Sequence, residues 1–96
     1  MTFISMRVGA ATVFRLRGIF GAGVDFSSLR AALGRSVGEP VRAVFFDMAR
    51  VTVLDGIGIG ELIRLRSRVH EAGRVFGLVN PDAHQQRLRE LARRST

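Results

Sequence analysis

Residues 41–61 read VRAVFFDMARVTVLDGIGIGE. The first eight, VRAVFFDM, are a nearly continuous apolar run of strand length, the pattern expected of a strand covered on both sides. VTVLD at 51–55 reads as a short link. From about Ile57 to Ala72 the period changes to that of a helix, with Ile59, Leu62, Ile63, Val69 and Ala72 on one side and Glu61, Arg64, Arg68 and Glu71 on the other. Gly73 is its natural stop, and VFGLV at 75–79 is a second strand of the buried type. A strand, a helix and another apolar strand imply parallel neighbours joined by a right-handed crossover, which sets the fold class as α/β.

Toward the N-terminus, FISMRV at 3–8 and ATVFRLR at 11–17 are β-prone runs separated by Gly9 and Ala10, a hairpin that supplies an antiparallel edge. The glycine-rich stretch 18–23 ends the second run. Phe26, Leu29, Leu33 and Val37 then mark one face of a helix that Asp25, Ser27 or Ser28 can cap and that Gly38 and Pro40 close. Toward the C-terminus, Asn80 and Pro81 suit the cap and first turn of a last helix carrying Leu88 and Leu91. The expected order is β-β-α-β-α-β-α, a mixed, mostly parallel sheet flanked by about three helices, with residues 1–96 as one domain.

Composition narrows the function. Ninety-six residues support one core. A chain with 47% hydrophobic and 24% charged residues is expected to fold alone or as a homodimer. No apolar run approaches the roughly 18 residues that span a bilayer, and MTFISMRVGA lacks the features of a signal peptide, so a cytoplasmic address without membrane insertion is expected. The chain has no cysteine, which removes disulfides and thiolate metal sites. His70 and His84 have no ligand spacing, so no metal or cofactor is expected. No nucleophile, base and orienting group can be assembled, and the chain reads as a binding protein and not an enzyme.

The formal charge is +7, and all fifteen basic residues are arginine. They are scattered, and tyrosine and tryptophan are absent, while Phe14, Phe45, Phe46 and Phe76 sit in apolar runs with the look of core. These features count against nucleic acid and for an acidic protein partner. The basic C-terminus, RLRELARRST at 87–96, reads as a solvated helix face.

In the quoted stretch the unusual segment is Leu54-Asp55-Gly56-Ile57-Gly58-Ile59-Gly60-Glu61. Three alternating glycines disfavour a helix by up to about 1 kcal/mol each, so they are expected to serve close backbone approach. G-x-G-x-G matches neither the dinucleotide fingerprint nor the P-loop, and Asp55 would repel a phosphate. Asp55 is well placed as an N-cap whatever else it does. Asp47 reads as a structural or partner-contact residue, and Ile57 and Ile59 as one surface and one core residue.

These residues carry a resemblance to the STAS domain family, which includes anti-sigma-factor antagonists and cytosolic modules of certain anion and lipid transporters. It covers residues 11–91, through the strand ending at Gly18, Leu29 and Leu33, VFFD ending at Asp47, VTVLD, Gly58, Gly60 and Leu62, and LVNP. In that family the segment after the aspartate usually reads D-S-S-G-L-G or D-S-T-G-L-G. Its first hydroxyl is phosphorylated by an anti-sigma factor that is itself a kinase.

Aligned on Asp55, Gly58 and Gly60, that hydroxyl position is Gly56 and the second is Ile57. The family's G-E-L-D appears as Gly18-Ile19-Phe20-Gly21. The resemblance therefore implies a regulatory protein-binding module without the phosphorylation switch. Its partner would be an anti-sigma factor or switch kinase, or alternatively a transporter ATPase that it serves as accessory subunit. The expected contacts are Phe20, Gly21, Arg50, Asp55, Gly56, Ile57, Gly58, Ile59 and Glu61, in the start of the helix and in loops at 18–25 and 49–54.

Overall fold

The computed structural model describes residues 1–84, Leu88 and Arg93. The order is β1 (Thr2–Val8), β2 (Ala11–Phe20), α1 (Ser27–Val37), β3 (Ala43–Leu54), α2 (Gly56–Glu71), β4 (Val75–Val79) and a 3-10 turn at Asp82–His84. The strands lie in the order β1-β2-β3-β4, with β1 antiparallel to β2 and the remaining neighbours parallel, as the apolar patterning implies. Gly9 turns the hairpin at φ 58°. The expected last helix and the basic tail lie outside the described residues, apart from Arg93 and from Leu88, which packs against the core.

Both crossovers step the same way across the sheet, so α1 and α2 cover the same face. On that face Phe14 and Leu16 of β2 and Val44, Phe46 and Met48 of β3 form one core with Leu29 and Leu33 of α1 and Leu62, Leu65 and Val69 of α2. A row of phenylalanines runs across all four strands. Phe3, Phe14, Phe46 and Phe76 meet in succession with ring centroids 6.0, 5.5 and 5.2 Å apart, within the range of tilted and edge-to-face pairs. A bond from the Ser36 hydroxyl to the Thr12 hydroxyl, 2.7 Å long and buried, ties α1 to β2.

The expectation of strands covered on both sides is corrected. Along β3 only every second side chain up to Met48 is buried, and in β4 Val75 is 62% exposed. The apolar run arises because the outer face carries its own thin cover: the ring of Phe45 lies over Gly77, where even a Cβ would collide with it. Phe45 is accordingly only partly buried, unlike Phe46 beside it.

Residues 49–54 are not a link but the second half of β3, and β2 runs on to Phe20. Arg17, Gly18, Ile19 and Phe20 face Arg50, Val51, Val53 and Leu54 in the parallel register. Register shifts between Arg15 and Arg17 and between Gly18 and Ile19 leave one extra residue in β3 each time. Such bulges break the period of two by which a strand is read.

The helix ends differ in how they are held. Phe26 takes the cap position of α1 with no side-chain cap, and the Asp25 carboxylate instead accepts the Ser27 N–H at 2.9 Å. At the end of α2, Gly73 adopts φ 76°, its N–H donates to His70 O, and the Arg74 N–H donates to Val69 O, the paired closure that a left-handed residue permits. The helix that Asn80 is expected to cap lies outside the described residues. Asn80 itself adopts φ 53° and donates through its side-chain amide to Asp47 at 3.2 Å.

Candidate functional site

The ends of β2 and β3 and the start of α2 meet at Asp55. Its backbone is extended and its Oδ1 accepts the Gly58 N–H at 2.9 Å, so it is the N-cap of α2. Its Oδ2 accepts the Ala22 N–H at 2.9 Å, which fastens the loop after β2 to the same carboxylate. Gly21 leaves the room for this, since a Cβ there would collide with that carboxylate.

The alternating glycines differ in role. A Cβ on Gly58 would collide with the Phe20 carbonyl, so Gly58 is the close approach expected of the motif. Gly56 and Gly60 have nothing near the position of a Cβ, and for these two the expectation of close approach is corrected. Gly56 is exposed, and next to it Ile57 is 60% exposed. Ile59 is buried, giving the one surface and one core residue that the pattern implies.

Of the other expected contacts, Phe20 is fully buried against Phe26 with ring centroids 4.8 Å apart, and it reaches the site through its backbone carbonyl. Glu61 does not lie on the outward side of α2. It is 3% exposed, and its two oxygens accept from Arg30 Nε at 2.8 Å and Arg30 Nη2 at 2.6 Å. The Glu61 carboxylate holds the Arg30 guanidinium above its ordinary pKa, first through these bonds and then through its charge. Arg68 adds a bond to the Arg30 carbonyl at 3.1 Å, so the pair belongs to the seam between α1 and α2.

Arg50 is exposed on β3, opposite Arg17. Beyond them Ile19, 48% exposed, and Val53, 46% exposed, face each other in register on the sheet face away from the helices. These two were not singled out from the sequence, because the alternation that shows them to be exposed is interrupted by the bulges. The site thus combines an exposed helix start, a capping carboxylate with two amides on it, and a strip of two isoleucines, a valine and two arginines. It offers apolar contact and positive charge to a partner surface.

Among the described residues no helix is long and apolar enough to cross a membrane. Among protein families, the STAS domain matches residues 7–94. Among solved structures, SpoIIAA of Bacillus in its phosphorylated form is similar at 17% identity and a TM-score of 0.72, over 95% of this chain and 83% of that one. An anti-sigma-factor antagonist STAS domain from Rhodobacter sphaeroides is similar at 14% identity and a TM-score of 0.63, over 84% of this chain and 87% of that one. Mglu is similar at 23% identity and a TM-score of 0.66 over 81% of this chain, which spans only 19% of the Mglu chain. At such identities the likeness to these structures is one of fold. Among curated proteins nothing matches the chain.

Proposed function

The chain belongs to the STAS domain family, and we propose that it is a cytoplasmic regulatory protein-binding module of the anti-sigma-factor antagonist kind, without catalytic activity, that binds its partner constitutively. The observation that carries this reading is the shelf at Gly56 and Ile57. It is exposed at the start of α2 and anchored by Asp55. In a switchable relative a phosphoserine at the position of Gly56 adds close to two negative charges, which repel and desolvate a docking partner. Gly56 has no side-chain hydroxyl to accept a phosphate. The shelf stays uncharged, and Ile57 is an apolar anchor for the partner while the α2 dipole favours an acidic side chain beside it.

The test uses the cognate ATPase-type anti-sigma factor. Incubated with it and ATP, the chain should gain no phosphate on residues 55–60 by mass spectrometry, and the complex should have the same affinity with and without ATP. Ile57→Asp should weaken it on the order of tenfold or more. A phosphate within 55–60, release of the complex by ATP, or full affinity in Ile57→Asp contradicts the reading.

A further inference from the structure

Arg17 and Arg50 stand directly opposite each other on β2 and β3, and neither makes an ion pair or hydrogen bond among the described residues. Like charges at directly opposed positions destabilise a sheet, so this placement opposes folding unless something else is satisfied by it. Asp47, the acidic residue of β3 among the described residues, is engaged by Arg15 at 3.5 Å, by Asn80 and by the Ala49 N–H.

Two shallow hollows share the arginine pair as their common wall. One, of about 400 Å³, also takes in Thr2, Ile4 and Arg15, and the other, of about 350 Å³, takes in Gly18, Ala49 and Thr52. The register shifts on either side of Arg17 and Gly18 belong to the same place, and bulges commonly re-aim side chains next to binding sites. Past the arginines the strip continues with exposed Ile19 and Val53 toward the start of α2.

We infer that this strip takes an extended acidic segment of the protein partner, with carboxylates on Arg17 and Arg50 and apolar side chains on Ile19 and Val53. The inference rests on the docking reading above and names the partner chemistry of the same surface. Charge complementarity selects the occupant. The strip carries two guanidinium groups that are unpaired among the described residues, beside apolar side chains, and a guanidinium pairs with a carboxylate through two parallel hydrogen bonds. A second copy of the chain, itself at +7, brings the wrong charge.

The experiment titrates the nitrogen-15-labelled chain with a synthetic peptide of alternating glutamate and leucine. Amide shifts confined to residues 17–19 and 49–53 are expected, with affinity reduced on the order of tenfold or more in Arg17→Glu/Arg50→Glu. Arg17→Gln/Arg50→Gln, which keeps the strands free of new charge, should show the same direction. No shifts, shifts spread over all exposed arginines, or an equal response to the glutamine-leucine peptide, to inorganic phosphate or to phosphatidylglycerol vesicles overturns the inference.

The two readings separate on the cognate anti-sigma factor. If it binds the wild type and Arg17→Glu/Arg50→Glu equally while Ile57→Asp fails, docking at α2 stands and the acidic-strip inference falls. If it binds none of them, the docking reading falls and the peptide titration alone decides the inference.

Discussion

The Asp55 carboxylate fills the space that a side chain on Gly21 would need. The same carboxylate caps α2 through Gly58 and holds the loop after β2 through Ala22, so Gly21→Ala must displace it and break both bonds. The expected loss is that of an N-cap, about 1 kcal/mol, and Asp55→Ala should cost a similar amount. In the double variant the second change has little left to break, which gives a coupling of about 1 kcal/mol in a urea double-mutant cycle. Additive losses would show that the two positions act independently.

The three glycines at the start of α2 should separate by sign. Gly58→Ala sets a methyl against the Phe20 backbone carbonyl, which cannot rotate away, and should destabilise by about 1–3 kcal/mol as overpacking does. Gly56→Ala and Gly60→Ala meet open space and should stabilise by up to about 1 kcal/mol through helix propensity. In a domain of this size each kcal/mol moves Tm by roughly 4–8 °C, so calorimetry on the three variants resolves the order. A loss in all three would mean that Gly56 and Gly60 also serve close approach.

What the sequence discloses and what it hides follow from the range of the interactions. Leu29 and Leu33 in α1, and Leu62 and Val69 in α2, are spaced at the helical period, and they are core. Asp55 is legible as a cap because capping is local in sequence. Glu61 is not legible as a buried residue, since its partner Arg30 lies on another helix and spacing within α2 places a glutamate outside. The second half of β3 is hidden by its two extra residues, and the exposure of Ile19 and Val53 with it. Gly21 stands out in the sequence for an acid that it lacks, whereas its need for glycine comes from Asp55, a contact only the fold creates.

Acid should weaken the fold through Asp47. Burial raises its carboxyl pKa, but the Ala49 N–H, the Asn80 amide and the Arg15 guanidinium outweigh that and hold it below the ordinary carboxylate value. A folded-state value lower than the unfolded one, near 3.9, means a contribution that is present above that pH and is lost as pH falls through the folded value. Asp25, lowered chiefly by the Ser27 backbone N–H, acts in the same direction. The urea midpoint should stay level from neutral pH to about 5 and decline below about 4. The decline should be shallower in Asp47→Asn, and parallel acid limbs in the two proteins would remove Asp47 as a source.

The Arg30–Glu61 pair should be more costly to halve than to remove. Glu61 is buried at the seam of α1 and α2, and without Arg30 its nearest cation is Arg64 at 3.9 Å. Arg30→Ala therefore leaves a carboxylate out of water with a distant, exposed partner, the situation in which a buried charge is most destabilising. Replacing both residues, as Arg30→Met with Glu61→Leu, removes the desolvated charge and fills the seam with apolar volume, so it should lower Tm less than Arg30→Ala alone. Arg30→Lys should fall between, because an ammonium cannot occupy both carboxylate oxygens in the planar fork that Nε and Nη2 provide. The pair sits one turn into α2 from Ile57, so Arg30→Ala should also weaken partner binding where the apolar double replacement, which keeps α1 and α2 packed, preserves it. Thermal melts of the three variants, with partner titration on each, separate a role in orienting α2 from one in stability alone.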